Sequence, residues 1–206
     1  GFVVTVNAYW DFIYENNLRE PITNLLANLD RVNYSNLKET GNAIRDLVRK
    51  AKFSPSLGVA VKLAYDEMCK SDGRVADVAV RSSATAEDLP GASFAGQHDS
   101  YLNVSGEEAV LDAIHNCFVS LFTDRAIKYR EDQHFEHMKV ALSVGVQKMV
   151  RSDSASSGVI FTLEPESGFR DVILITGAWG LGENIVQGTI TPDEYYVFKP
   201  TFLKGK

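Results

Sequence analysis

Hydrophobic residues in the first third of the chain recur every three to four positions, which is the spacing of amphipathic α-helices. The apolar run Gly1–Val6 is typical of a short strand. Asn7 is expected to cap a helix that carries Tyr9, Phe12 and Ile13 on one face. The pattern predicts three further helices. The first has Pro21 in its first turn and one apolar face formed by Ile22, Leu25, Leu26 and Leu29. The second begins at Ser35 and buries Leu37, Ile44, Leu47 and Val48, and the third extends from Ser54 through Val59, Leu63 and Met68 to Gly73.

The second part of the chain has the pattern of strands. Val75–Val80 is rich in β-branched residues and leads into a loop of small and polar residues, after which Tyr101–Val104 returns as a strand. Two helices, from Gly106 to about Phe122 and from about Asp124 to Gln133, follow, with Thr123 as the cap between them. Four later runs have the spacing of strands in one antiparallel sheet: Val140–Val150, Ser157–Leu163, Val172–Thr176 and Glu194–Phe198.

Helices that precede an antiparallel sheet predict an α+β fold, with a helix-rich lobe over residues 1–138 and an incomplete sheet over residues 139–206. The composition is that of a globular protein, with 45% hydrophobic and 23% charged residues. The net charge of −6 provides no basic field for nucleic acid or an anionic membrane, so neither is expected as a partner. The two cysteines, Cys69 and Cys117, are expected to be reduced thiols of a cytoplasmic protein. The chain lacks an initiator methionine, which predicts that it is part of a longer protein.

The segment Val80–Gln97 is the richest in candidate chemistry. Arg81 follows a buried run and offers five donors to an oxyanion. Small and hydroxylated residues come after it, with glycines at 91 and 96, so that backbone amides could approach a phosphate. An exposed loop in which Arg81 pairs with Glu87 or Asp88 is the alternative. The residue types alone favour neither interpretation.

The remaining motifs argue against several other kinds of site. No G-x-x-x-x-G-K-[ST] sequence is present, and the glycines of Gly177–Gly182 do not match G-x-G-x-x-G, so P-loop and Rossmann sites are disfavoured. His134 and His137 are expected at a solvated helix end, and no metal site is predicted from them. Ser83 and Thr85 have no evident base nearby, which argues against a hydrolase nucleophile.

Four segments, in order, closely resemble the ATP-binding domain of the phosphoenolpyruvate synthase and pyruvate phosphate dikinase family. They are Val80–Val104, Ser120–Arg130, Gly145–Phe161 and Ala178–Pro200. The resemblance extends over nearly the whole chain and is weakest across the helices from Tyr9 to Lys70. It implies an ATP-grasp-like nucleotide-binding domain, of which residues 1–206 are a truncated form.

The resemblance also implies roles for individual residues. Arg81 matches the arginine that contacts the ATP phosphates and is the expected catalytic residue, and the segment Thr85–Phe94 is expected to close over the site as a lid. Gly96 and Ser100 match positions on the phosphate side. Gln147 lies on the expected adenine strand, where the backbone of residues 147–150 would meet the base edge and Met149 would form an apolar wall. Glu183 is either a polar or metal-facing group or an ordinary surface carboxylate.

For the full-length protein the resemblance implies conversion of ATP, pyruvate and water to AMP, phosphoenolpyruvate and phosphate through a phosphohistidine on another domain. The family's lysine would precede Gly1, and its Mg²⁺-binding Asp-x-Glu pair and Gln-x-Arg-Pro segment would follow Lys206, so this fragment alone is expected to be inactive. Pyruvate would bind to a domain beyond this chain, and a homodimer of the full-length enzyme is a further expectation. The alternatives are the ATP domain of a rifamycin phosphotransferase and a non-catalytic, self-associating module.

Overall fold

The computed structural model describes residues 1–85 and 100–205, and the chain divides into two compact units, Gly1–Met149 and Val150–Lys206. Helices and antiparallel strands occur together, which confirms the α+β prediction. The first unit contains β1 (Phe2–Val4), α1 (Val6–Glu15), α2 (Arg19–Ala27), α3 (Leu37–Lys50), α4 (Pro55–Asp72), β2 (Val78–Ala84), β3 (Ser100–Val104), α5 (Glu107–Ser120), α6 (Asp124–Asp132) and β4 (Leu142–Lys148). The second contains β5 (Ser156–Phe161), β6 (Val172–Trp179), α7 (Glu183–Val186), β7 (Asp193–Phe198) and α8 (Lys199–Phe202).

The first unit is built on a four-stranded antiparallel sheet in the order β1-β4-β2-β3. Alternate residues of each strand point to opposite faces, and one face carries valines such as Val4, Val80 and Val144, all of them buried. Helices α1, α4 and α5 contact the sheet, and their buried side chains form one hydrophobic core with these valines. We call the opposite face, on which Val3 and Arg81 are exposed, the open face.

The predicted single sheet of late strands is wrong. β4 pairs with β1 and β2 in the first unit, whereas β5, β6 and β7 form a separate three-stranded sheet in the second. β4 therefore belongs with the helices, although the expected lobe boundary near residue 138 placed it with the later strands. The predicted run Val75–Val80 is also displaced, because the strand extends from Val78 to Ala84 and includes Arg81.

Side-chain caps begin α1, α4 and α6, whereas α2, α3 and α5 have none, and α3 begins at Leu37 and not at the predicted Ser35. Thr5 and not Asn7 caps α1, because the Thr5 hydroxyl accepts a hydrogen bond from the amide of Ala8 at 3.5 Å. The predicted caps Ser54 and Thr123 are confirmed: their hydroxyls accept from the amides three residues ahead, each at 3.3 Å. Gly73 ends α4 in the left-handed conformation with φ of 68°, as its position after the helix predicts.

Helix α4 turns a different face to the core than its first apolar residues suggest. Val61 and Tyr65 are buried, and the Tyr65 hydroxyl donates to the carbonyl of Ala76 at 2.7 Å. Val59 and Leu63, which the sequence pattern placed along the helix, are 57% and 64% exposed.

Among the described residues, no helix combines the length and the hydrophobicity that crossing a bilayer requires.

An aromatic cluster occupies the centre of the helical layer. Phe118 of α5 is fully buried, and its ring centroid lies 5.1 Å from that of Tyr9, 5.3 Å from that of Phe12 and 5.7 Å from that of Phe53. His115 packs on the same rings, and its Nε2 is 2.8 Å from the carbonyl of Val48. These contacts join α1, α3 and α5, together with the segment that follows α3, and they make Phe118 a central packing residue of the first unit.

The second unit depends on one close backbone approach. β6 lies between β5 and β7, and Gly158 of β5 faces Gly177 of β6. A Cβ atom at position 158 would lie 1.9 Å from the carbonyl oxygen of Thr176, so the strand pairing requires glycine there. The ammonium group of Lys199 donates to the carbonyls of Thr162 and Arg170 and ties the end of β7 to the β5–β6 connection.

Candidate functional site

Arg81 occupies the fourth of seven positions in β2, which lies between β4 and β3. It was expected at the end of a strand, but the sheet continues for three residues beyond it. The strand register places Val3 of β1, Gly145 of β4, Arg81 and Ser100 of β3 in one row across the sheet. Facing residues in antiparallel strands have Cα atoms about 4.5–5.5 Å apart and side chains on the same face. The sheet therefore brings Arg81 and Ser100 together on the open face.

The guanidinium of Arg81 is available on this face. Arg81 and Ser100 are both exposed. In residues 1–85 and 100–205, no hydrogen bond or ion pair engages the Arg81 side chain. A cation held by its backbone in a central strand, with a hydroxyl from the facing residue, suits an oxyanion such as a phosphate. The alternative partners Glu87 and Asp88 lie outside the described residues.

The two serines that follow Arg81 point to opposite faces. Ser83 is exposed on the open face, where its carbonyl accepts a hydrogen bond from the Ser143 hydroxyl at 3.3 Å. Ser82 faces Val144 on the core side, and its buried hydroxyl has no partner within the part of the chain that the structure describes. Because side chains alternate along a strand, Ser83 can belong to a site around Arg81 and Ser82 cannot.

Thr85 fixes the end of β2 against the start of β4. Its amide donates to the carbonyl of Ala141 at 3.0 Å, and its hydroxyl accepts from the amide of Ala141 at 3.1 Å. The side chain takes the place that the Thr85 carbonyl would occupy in a regular ladder. This threonine therefore has a structural role at the strand end, where the sequence had left it without a function.

Gln147 lies on β4, the strand next to that of Arg81, and Met149 follows the end of β4. Gln147 is exposed on the open face opposite Ala79, one row from Arg81, at a diagonal separation of about 7–8 Å between Cα atoms. The amide of Met149 donates to the carbonyl of Asp77 at 2.8 Å. This amide was expected to meet a base edge, but it donates to the neighbouring strand end instead, and the Met149 side chain is half-buried.

Glu183 belongs to the second unit and is described within that unit. It is exposed at the start of α7, and its carboxylate accepts a hydrogen bond from the Gln187 side chain at 2.8 Å. The preceding glycine segment turns at Gly180, whose φ is 91° and whose carbonyl accepts from the Ser157 hydroxyl at 2.5 Å. Gly96 and residues 86–94 of the expected lid lie outside the described residues. Their roles stay predictions.

A buried polar cluster in the first unit was missed by the sequence interpretation. The expectation that His137 is solvated is wrong: Nδ1 accepts from Arg130 Nε at 2.8 Å, and Nε2 donates to a Glu131 carboxylate oxygen at 2.7 Å. Arg130 is fully buried and also donates to the Leu121 carbonyl at 2.7 Å. Burial lowers the pKa of Arg130 to about 10. Arg31 binds the same Glu131 carboxylate, at 2.8 and 3.1 Å. The cluster ties the α2–α3 connection to α6.

The cluster predicts loss of stability in acid. Burial and the nearby Arg130 charge lower the pKa of His137, outweighing the opposite effect of Glu131. Burial raises the pKa of Glu131, but hydrogen bonds from Arg31 and His137 bring it below its usual value. Because the unfolded chain then binds more protons, stability falls as the pH drops from about 6.5 through the lowered pKa of His137. The urea midpoint of unfolding should decrease as the pH is lowered from 7.5 to 5, and the decrease should be smaller for His137→Gln. The same decrease in both proteins would contradict the role of His137 in this pH dependence.

Comparison with known proteins shows to which family the chain is similar. The model of the family described as pyruvate phosphate dikinase, AMP/ATP-binding domain, matches residues 1–203. The phosphoenolpyruvate synthase of Aquifex aeolicus (strain VF5) is 56% identical over 206 residues, which are 100% of this chain and 24% of the relative. The enzymes of the same name from Synechocystis sp. and Escherichia coli (strain K12) are 53% and 50% identical, over 100% of this chain and 26% of each relative. The chain spans about a quarter of the length of these relatives.

Proposed function

Because the chain belongs to the pyruvate phosphate dikinase AMP/ATP-binding domain family, we propose that it binds ATP on the open face of the sheet in the first unit. The observation that carries this proposal is the pairing of Arg81 with Ser100 in facing positions on that exposed face. The guanidinium would hold the phosphates, and the Ser100 hydroxyl would add a neutral donor. Gln147, one row away, is placed to lie towards the adenine.

The charge arrangement supports phosphate binding. Fixed guanidinium groups bind phosphate oxygens through paired hydrogen bonds, which are shorter and stronger than those between neutral groups. The Arg81 backbone is held by strands on both sides, so that little backbone ordering accompanies binding. An ATP-grasp-like fold for the whole domain and a polar or metal-facing role for Glu183 are further parts of the proposal.

The longer protein is proposed to be a cytoplasmic phosphoenolpyruvate synthase. It would convert ATP, pyruvate and water to AMP, phosphoenolpyruvate and phosphate, with the phosphoryl group carried by a histidine outside this chain. The relatives that support this activity are all named phosphoenolpyruvate synthase, which favours it over a rifamycin phosphotransferase. Pyruvate binding and a homodimer are proposed for that longer protein and involve segments beyond residues 1–206.

Magnesium is expected to accompany ATP, since phosphoryl transfer relies on metal ions to neutralise developing charge. Within the described ranges, no three His, Cys, Asp or Glu side chains lie close enough to hold a metal ion. The described residues of the open face therefore do not fit a resident magnesium site. Carboxylates downstream of this chain are the proposed ligands.

A product assay on the longer protein tests the proposed activity. With ATP, pyruvate and magnesium, AMP, phosphoenolpyruvate and phosphate should form in equal amounts, and AMP formation should depend on pyruvate. The matched reaction replaces pyruvate with rifampicin. ADP as the nucleotide product, or AMP formed with rifampicin and not with pyruvate, would contradict the synthase assignment.

A further inference from the structure

The packing of the described residues does not explain why position 145 is glycine. It lies in the middle of β4, where glycine weakens a strand because it has no side chain to pack and loses more conformational freedom on folding. Its φ is not positive, and the pairing of β4 with β2 runs without a bulge from Leu142 to Lys148. Neither backbone conformation nor register therefore requires glycine here.

Steric crowding by the described residues does not require it either. Apart from the neighbouring residues 144 and 146, the only described heavy atom within 4 Å of a Cβ atom built at position 145 is the carbonyl oxygen of Arg81, at 3.8 Å, which is an ordinary contact. Gly158 is the opposite case, because its Cβ would collide with the Thr176 carbonyl. The sheet could accommodate a side chain at position 145, and a β-branched one would pack beside the exposed Val3.

A strand glycine without an internal reason commonly marks a place where a ligand approaches the backbone. Gly145 stands directly beside Arg81 in the same row of the open face. On β4 it is two residues from Gln147 and on the same face, so it adjoins both Arg81 and Gln147. Because Gly145 has no side chain, the described residues other than its chain neighbours place no side-chain atom within 4 Å of the Cβ position beside Arg81.

We propose that Gly145 is a ligand-contact position, at which bound ATP lies against the bare backbone of β4 and reaches Arg81. This inference rests on the proposed ATP site and adds a steric requirement to it. A side chain at position 145 would stand in the path of the ribose and triphosphate. The strand would gain stability and the site would lose affinity.

The substitutions Gly145→Ala and Gly145→Val test this inference in the 206-residue chain. Calorimetric titration with Mg-ATP should show a graded loss of affinity, with Gly145→Val weakened at least about tenfold, as expected when added atoms must be accommodated in a filled space. The thermal midpoint of Gly145→Val should rise by about 1–4 °C because of its higher strand propensity. A residue with a purely structural role would not move these two quantities in opposite directions.

Gly58→Ala is the matched control. Gly58 lies in α4, and apart from its chain neighbours and the backbone of its own helix no described atom is within 4 Å of its added Cβ, so alanine should stabilise the helix and leave the ATP affinity unchanged. Unaltered affinity in Gly145→Val, with the unchanged chain binding ATP, would overturn this inference alone. Absence of ATP binding by the unchanged chain would overturn the proposed site and this inference together.

Discussion

Replacement of Arg81 by alanine is expected to weaken the binding of Mg-ATP by about 1.5–3 kcal/mol, which is roughly ten- to 150-fold in the dissociation constant. The reason is that the exposed guanidinium on the open face is the cation proposed to contact the phosphates. Because the side chain is exposed and has no partner among the described residues, the loss of stability should stay within about 0.5 kcal/mol. Calorimetry and thermal unfolding of the same samples separate the two effects.

Two variants sharpen this test. Arg81→Lys keeps the charge but loses the planar fork of donors, so it should recover only part of the affinity. Arg49→Ala removes an exposed arginine of α3, which forms a 3.0 Å ion pair with Asp46, and serves as the matched control. Equal affinities for Arg49→Ala and Arg81→Ala would contradict a phosphate-binding role for Arg81.

Replacement of Phe118 by alanine should have the largest effect on stability, about 3–5 kcal/mol, because it opens a cavity in the aromatic cluster. Phe118→Leu retains most of the volume and should cost less. Urea unfolding followed through Trp10 fluorescence reports on this region, since Trp10 lies 5.2 Å from Tyr9 between ring centroids. Phe169→Ala, at a half-exposed site in the second unit, is the control and should change stability little. A Phe118→Ala loss no larger than this control would contradict the packing described.

The sequence pattern predicted local structure better than strand pairing. The Ser54 and Thr123 caps, the Gly73 stop and the strand β3 depend on neighbouring residues, and each was found where expected. The partner of β4 could not be predicted in this way, because β1 lies more than a hundred residues before it in the chain. Merging β4 with the later strands was the consequence of this missing long-range information.

The candidate site shows the same division. Arg81 and Ser100 were selected by residue type and resemblance, whereas their facing positions follow from a register that only the folded sheet reveals. Two-residue alternation along β2 could have separated Ser83 from Ser82, had the strand been predicted to continue past Arg81. The burial of His137 depends on tertiary contacts with Arg130 and Glu131, and the helical pattern around it gives no sign of them.

The most direct measurement of the central claim is a nuclear magnetic resonance titration of the isotope-labelled chain with Mg-ATP. Amide signals of Arg81, Ser100, Gly145 and Gln147 should shift together and saturate at one nucleotide per chain, because these residues share the open face of one sheet. The same titration of Arg81→Ala should require a roughly tenfold or higher nucleotide concentration. Shifts confined to the second unit, or no saturable shifts, would contradict ATP binding on the open face.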